Sequence, residues 1–167
     1  GNVTTIVRSE NGYNGKLVLN TLLPESDNLN INKVGGSGKE FWVFGENFPL
    51  TKTPESGQYG AGKWRVEVSP KQSAQEDLFL NVMQMQDNVG GPQSLPVEKI
   101  ETANMLGTKI FDRVVLFSKS GVRLEEEITF ATGTSGESLK FVITDLKAGV
   151  WKIEREGEAD QYAVVTE

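Results

Sequence analysis

The sequence predicts an all-β fold, an antiparallel two-sheet β-sandwich of the supersandwich or jelly-roll-like kind with about ten to eleven strands. Apolar residues recur at every second position, as in Trp64, Val66 and Val68, and this period of two places one side of a strand in the core. Turn pairs that contain glycine, and all 6 prolines, fall between the apolar runs, where positive φ angles and missing backbone donors are tolerated. We therefore expect strands and turns along the whole chain.

The individual strands follow from the apolar runs and the turn signals between them. The alternation is clear at 63–69 and at 138–145, where one apolar face opposes a polar one. Beyond residue 108 the turns are closely spaced, which favours an antiparallel meander of hairpins. In chain order, the predicted strands are 3–8, 15–23, 28–34, 39–44, 63–69, 77–85, 108–118, 121–131, 138–145, 149–155 and 161–166.

Two longer stretches interrupt this rhythm. Residues 45–62 contain Gly, Pro, Ser and Thr with few apolar residues, and they predict a long loop. Residues 86–107 begin polar and then include 97–106, which predicts either one helical turn or a short edge strand. No repeat or linker divides the chain, so we predict one β-sandwich domain over residues 1–167.

Composition excludes several functions. The chain has no cysteine and no histidine, so disulfides, thiolate metal sites and imidazole catalysis are excluded, and we predict neither a metal site nor another cofactor. The net charge is −6 and no basic cluster occurs, which argues against nucleic-acid binding. The longest apolar runs have about four residues, whereas a membrane span needs about 20. We therefore predict no membrane span.

The sequence contains no recognisable catalytic centre. Residues 35–39 resemble a phosphate-binding loop, but Lys33 replaces its first glycine and Glu40 follows the lysine, so a turn is predicted. Elimination at a uronic acid needs a cation and a base such as Tyr, His or Lys, and the 3 tyrosines have no histidine beside them. We predict no catalytic residue, and we do not expect this chain alone to be an enzyme.

Aromatic residues are the candidates for carbohydrate binding, because the C–H faces of pyranose rings pack on aromatic rings. The candidates are Trp42, Tyr59 and Trp64, together with the cation Arg65. Core packing is the alternative for both tryptophans, since Trp42 lies in an apolar run and Trp64 alternates with Val66. Tyr59 is flanked by glycines in the predicted loop and is the better surface candidate.

Several segments carry a family resemblance. In chain order they read GKLV and TLLPE within 15–25, VGGSGKEFWV at 34–43, GKWRVEVSP at 62–70, DLFLNVMQ at 77–84 and RVVLF at 113–117. This ordered set resembles the C-terminal β-sandwich of heparinase II/III-like polysaccharide lyases. The resemblance covers roughly residues 15–117.

The resemblance implies a sandwich that follows a helical toroid catalytic domain and helps to wall the substrate cleft. It also implies enzymes that cleave acidic polysaccharides by β-elimination, in the periplasm or after secretion. This chain contains no helical toroid and lacks the histidine that the sandwich contributes in some members, so no catalytic residue is carried over. The implied partners are an acidic polysaccharide and a helical toroid domain of the same full-length protein.

The sequence and the resemblance leave three possible functions. The first is a non-catalytic domain that supports the catalytic domain or shapes an acidic-polysaccharide cleft, and it predicts an exposed apolar patch. The second is a stand-alone carbohydrate-binding module, which predicts exposed aromatic rings along a groove. The third is a small tyrosine-dependent uronate lyase, which predicts unsaturated uronic products.

Overall fold

The computed structural model describes residues 1–8, 12–48, 64–133 and 138–167, and all regular elements in these ranges are β-strands. The predicted all-β class is confirmed. The described part of the chain has 13 strands, slightly more than the predicted number, and seven of its eight strand pairs are antiparallel. The chain forms two compact units, Gly1–Ser94 and Leu95–Glu167. One domain over residues 1–167 stays a prediction.

The described part of the N-terminal unit contains seven strands in three antiparallel sheets, ordered β1-β2-β7, β3-β6 and β4-β5. Their bounds are β1 Val3–Arg8, β2 Gly15–Leu23, β3 Leu29–Gly35, β4 Trp42–Val43, β5 Glu46–Asn47, β6 Trp64–Pro70 and β7 Leu80–Asp87. The predicted strand 39–44 is thus reduced to two residues. Most of the predicted loop at 45–62 lies outside the described residues.

The sheet β1-β2-β7 carries much of the buried apolar surface of this unit. Val18 and Leu19 of β2 and Leu80 of β7 are buried. The buried hydroxyl of Thr21 donates to Oδ1 of Asn81 at 2.8 Å, which satisfies a polar group that would otherwise destabilise the core. β2 pairs with both β1 and β7 and is the central strand of this sheet.

The C-terminal unit contains a four-stranded sheet, ordered β11-β10-β9-β8, and a separate hairpin, β12-β13. The bounds are β8 Val97–Glu101, β9 Met105–Ile110, β10 Arg113–Ser118, β11 Lys140–Ile143, β12 Gly149–Ile153 and β13 Gln161–Val165. The expected edge strand in 97–106 is confirmed as β8, which pairs only with β9 within the sheet. The alternative of a helical turn there is wrong.

A single cluster forms the core of the C-terminal unit. Ile100, Met105, Val114 and Leu116 are buried in it, and the last three are fully inaccessible. Five partly buried apolar residues pack against this cluster: Leu124, Ile128, Phe130, Leu139 and Ile143. On the apolar face predicted for 138–145, Leu139 and Ile143 therefore pack on the core as expected, whereas Phe141 is exposed.

Three details of the C-terminal prediction are wrong. The segment 108–118 is not one strand, because a turn at Phe111 separates β9 from β10. The segment 121–131 forms no strand, and its only ladder contact is an isolated bridge from Leu124 to Leu146. The meander is interrupted because β11 pairs with β10 in parallel, which requires a crossover instead of a hairpin.

No helix in the described ranges has the length and apolar character needed to cross a membrane.

Candidate functional site

A shallow open groove of about 630 Å³ lies in the N-terminal unit, between the sheet β3-β6 and the hairpin β4-β5. Its lining combines aromatic, cationic and amide side chains with one carboxylate. The lining residues are Asn32, Lys33, Val34, Gly35, Lys39, Trp42, Val43, Phe44, Arg65 and Glu67.

The floor of the groove is one face of the sheet β3-β6. Asn32 is paired with Glu67 in the register, and Val34 is paired with Arg65. Residues that oppose each other in an antiparallel pair point to the same side, so these four side chains share the face that lines the groove. Strand alternation therefore accounts for the floor.

The wall of the groove is the short hairpin that contains Trp42. Two consecutive turns lead into it, closed by bonds from the Lys39 amide to the Gly36 carbonyl at 2.8 Å and from the Trp42 amide to the Lys39 carbonyl at 3.3 Å. The base of the hairpin is held where the Phe41 amide donates to Oδ1 of Asn47 at 2.9 Å. These bonds fix Trp42 and Lys39 beside the floor.

The hairpin turn presents Phe44 to solvent. Phe44 and Gly45 have φ angles of 50° and 87°, the positive values that a type I′ turn requires at both central positions. A positive φ is rare for a bulky residue and is unfavourable for it. The Phe44 side chain is nevertheless fully exposed at the edge of the groove, so it does not gain core burial in exchange.

The charges of the groove are unevenly paired. The Arg65 guanidinium contacts Oε1 of Glu67 through both Nε and Nη2 at 2.7 Å, and the Asn32 amide donates to Oε2 of Glu67 at 3.3 Å. The Lys39 ammonium lies 5.0 Å from the centre of the Trp42 ring. Within the described ranges, Lys39 forms no ion pair with a carboxylate.

The structure brings two of the four predicted binding residues together. Trp42 and Arg65 both line the groove. Trp64 points to the other face of β6, where the Lys33 ammonium lies 3.9 Å from the centre of its ring. Tyr59 lies outside the described residues. The proposed binding role of all four stays a prediction.

Trp64 is neither a core residue nor part of the groove. Its side chain is 52% exposed, so the core-packing alternative is wrong for this residue. A Cβ atom at Gly36 would lie 2.8 Å from Cη2 of Trp64, and the φ angle of Gly36 is +87°. The indole ring thus rests against a glycine, with Lys33 on the ring, and covers the turn that leads to the groove.

Sequence reasoning missed Phe44 and Lys39 as groove residues. The apolar run at 41–44 predicts a buried strand, and this interpretation hides the turn. The signal is the Phe44-Gly45 pair, since glycine at the second central position permits a two-residue turn. For Lys39 the sequence predicts only a turn, because the proximity of its side chain to Trp42 depends on two consecutive turns, closed by the amides of Lys39 and Trp42.

Neither of the two described tyrosines, Tyr13 and Tyr162, gives support to a base paired with arginine. The Arg8 guanidinium lies 3.7 Å from the centre of the Tyr13 ring, a stacking contact with the face of the ring instead of the phenol oxygen. Tyr162 is exposed on β13. Tyr59 is not among the described residues.

A separate ionic cluster lies in the C-terminal unit. Glu101 contacts the ammonium groups of Lys99 and Lys119, each at 2.7 Å, and Lys119 also donates to the Thr102 carbonyl at 2.7 Å. The hydrogen bond from Lys119, followed by that from Lys99, lowers the pKa of Glu101 below its ordinary value. Because each cation is engaged with Glu101, the cluster joins β8 to the residue after β10 and does not form a binding site.

Comparison with known proteins concerns mainly the C-terminal unit. Residues 99–167 match the model of the heparinase II C-terminal domain family. No curated protein matches the chain significantly. The resemblance predicted from the sequence is confirmed, but the match includes only the last of the quoted segments, 113–117, and the others lie outside it.

Proposed function

We propose that this chain, whose residues 99–167 match the heparinase II C-terminal domain, is a non-catalytic β domain of a polysaccharide lyase. In this proposal it supports a helical catalytic domain and shapes a cleft for an acidic polysaccharide. The observation that carries the proposal is the groove, where the aromatic rings of Trp42 and Phe44 lie beside the cation Lys39, and where the Arg65 charge is paired with Glu67. Aromatic rings that can stack on sugars, next to cations that attract acidic groups, suit this ligand.

The contact with a catalytic domain is supported by an exposed apolar face on the sheet β1-β2-β7. Ile6, Leu17 and Met85 are aligned across the three strands, and Met83 lies beside them on the same face. Met85 is 86% exposed and Met83 is 64% exposed. Clustered exposed apolar side chains mark interaction surfaces, and methionine adapts to varied partners. We assign this face to the catalytic domain, in the periplasm or outside the cell.

A stand-alone carbohydrate-binding module is the second candidate. It is favoured by the position of the groove, since every lining residue belongs to the N-terminal unit and lies outside the family match. The two candidates differ in their use of the apolar face. A Met83→Lys, Met85→Lys double variant tests this difference. If the chain supports a catalytic domain, the variant should associate more weakly with that domain. Glycan binding in the groove should be unchanged for both candidates.

The test of the groove is direct titration of the full chain with a uronate polymer, with neutral dextran as the comparison. We expect binding of the uronate polymer only. Phe44→Ala should weaken this binding about two- to twelve-fold, because loss of one aromatic contact costs about 0.5–1.5 kcal/mol.

Phe111→Ala is the matched control for this variant. Phe111 is also an exposed phenylalanine with a positive φ angle, 51°, but it lies in the β9-β10 turn and not in the groove. The Phe111→Ala variant should bind the uronate polymer as tightly as the parent chain does. Equal loss in both variants, or no binding by the parent chain, would contradict the proposal. Appearance of unsaturated uronic products would contradict its non-catalytic part.

A further inference from the structure

The charges at the floor of the groove bear on which acidic polysaccharide it accepts. Arg65 presents its Nε and Nη2 atoms to one oxygen of Glu67, and Asn32 donates to the other oxygen. Arg65 and Glu67 are two residues apart on β6, so the strand itself keeps them on the same face. The pair is a fixed part of the floor.

With Arg65 and Glu67 paired, the charged side chains that face the groove have a net charge of one positive unit. The charges of Arg65 and Glu67 cancel, and the Lys39 ammonium, beside Trp42, is the remaining cation. Lys33 contributes its charge elsewhere, because its ammonium lies on the Trp64 ring on the opposite face. A ligand with one acidic group near Lys39 therefore finds a partner for it.

A second acidic group that reaches the floor of the groove meets Glu67, which lines the same groove as Lys39. Like charges brought together at a binding surface disfavour the wrong partner, and this repulsion is a common source of specificity. The Glu67 side chain is 45% exposed, so its carboxylate is accessible to a ligand on the floor while it holds Arg65. Neutral hydroxyl groups do not meet this repulsion and can bond to Arg65 and Asn32.

We propose that Glu67 is the specificity-determining residue of the groove, which selects sugar chains with sparse acidic groups over densely sulfated chains. The inference rests on the proposed binding function and names the class of polysaccharide. Sparse here means one carboxylate for every two sugars, separated by a neutral residue. Trp42 and Phe44 provide the apolar surface for that neutral sugar.

The test compares two polymers with the same set of variants. Hyaluronan carries one carboxylate per disaccharide, and heparin carries several sulfates in addition. The parent chain should bind hyaluronan more tightly than heparin. Glu67→Gln keeps the size and hydrogen-bonding capacity of the side chain but removes its charge, and it should raise heparin affinity relative to hyaluronan affinity about five- to ten-fold.

Two further variants isolate the effect of position. Glu76→Gln changes the total charge equally, but Glu76 is not in the lining, so the ratio of affinities should not change. Asn32→Asp adds a carboxylate to the floor and should lower the ratio of heparin affinity to hyaluronan affinity. Circular dichroism of each variant establishes that the fold is retained.

The outcomes separate this inference from the function on which it rests. If the parent chain binds neither polymer, the binding function and the inference both fail. If it binds hyaluronan and Glu67→Gln leaves the ratio unchanged, or if the parent chain prefers heparin, only the inference fails. A parallel change in Glu76→Gln also overturns it, because the effect then reflects total charge.

Discussion

At a few positions in this protein, a single side chain connects two segments of the chain through its polar contacts. Glu101 is the clearest example, since its carboxylate accepts from Lys99 and Lys119 and so connects two segments of the C-terminal unit. Both contacts favour the ionised carboxylate, and they outweigh the opposing effect of burial on its pKa. The stability of this unit is therefore linked to pH.

We expect Glu101→Gln to reduce the pH dependence of unfolding. The lowered pKa in the folded state means that the stabilisation is complete above the unfolded value, near 4.3, and is lost as the pH falls through the lower folded value. The variant should lose about 1 kcal/mol of unfolding free energy at pH 7, as expected for partly exposed pairs. It should lose almost none in strong acid.

Urea unfolding at a series of pH values checks this expectation. Glu156→Gln is the control, because Glu156 is exposed and forms no ion pair in the described part of the chain. Identical pH profiles for Glu101→Gln and the parent chain would show that the cluster does not contribute.

Strands are the next level of organisation, and Gly107 shows how closely two of them approach. Gly107 lies in β9 opposite Leu116 of β10. A Cβ atom at position 107 would overlap the backbone oxygen of Val115 and would lie 2.8 Å from Cα of Leu116. Since these are backbone atoms, a side-chain rotation cannot relieve the overlap.

Gly107→Ala should therefore destabilise the C-terminal unit by about 3 kcal/mol or more, at the upper end of the cost of overpacking. Thermal or urea unfolding measures this cost. Gly15→Ala is the matched control, because Gly15 also lies in a strand but has no atom within 4 Å of the added Cβ. A loss below about 1 kcal/mol in Gly107→Ala would contradict the close approach.

Much of the strand structure was predictable from the sequence, and its pairing was not. Alternation in β6 correctly separates Arg65 and Glu67 from Val66, which fixes the floor of the groove. Alternation is the same for parallel and antiparallel neighbours, so it cannot indicate that β11 lies parallel to β10. It also cannot indicate which face is covered, and for this reason it leaves core packing open for Trp64, a residue that is half exposed in the structure.

The wall of the groove illustrates a different limit. The apolar run at 41–44 has the composition of a buried strand, but only Trp42–Val43 is a strand. Phe44 enters a turn whose conformation is set by Gly45 and by the Asn47 bond at the hairpin base. Such side-chain bonds depend on several residues at once and are not visible in a periodic pattern.

The whole molecule carries a net charge of −6, although the groove is locally positive. These two fields act over different distances. Repulsion of a polyanion by the net charge extends over a Debye length, about 30 Å at 0.01 M salt and about 8 Å at 0.15 M salt. Attraction to Lys39 acts at short range after the ligand has reached the groove.

We therefore expect the association rate with hyaluronan to rise when salt is increased from about 0.01 M to about 0.15 M, because screening removes the long-range repulsion. The dissociation rate should rise as well, since salt also weakens the contact with Lys39. Surface plasmon resonance with immobilised hyaluronan measures both rates. A fall in the association rate with salt would show that the groove, and not the net charge, governs the approach of the ligand.

The parallel pairing of β10 with β11 has a consequence for how the C-terminal unit acquires its structure. Short turns connect β8, β9 and β10, so these strands meet after closing small loops. The chain must return from Ser118 to Lys140 before β11 can align, and ordering this longer segment costs more conformational entropy. We expect the hairpins to assemble early and the outer strand to dock late, which leaves one sheet edge open to intermolecular pairing in the nascent chain.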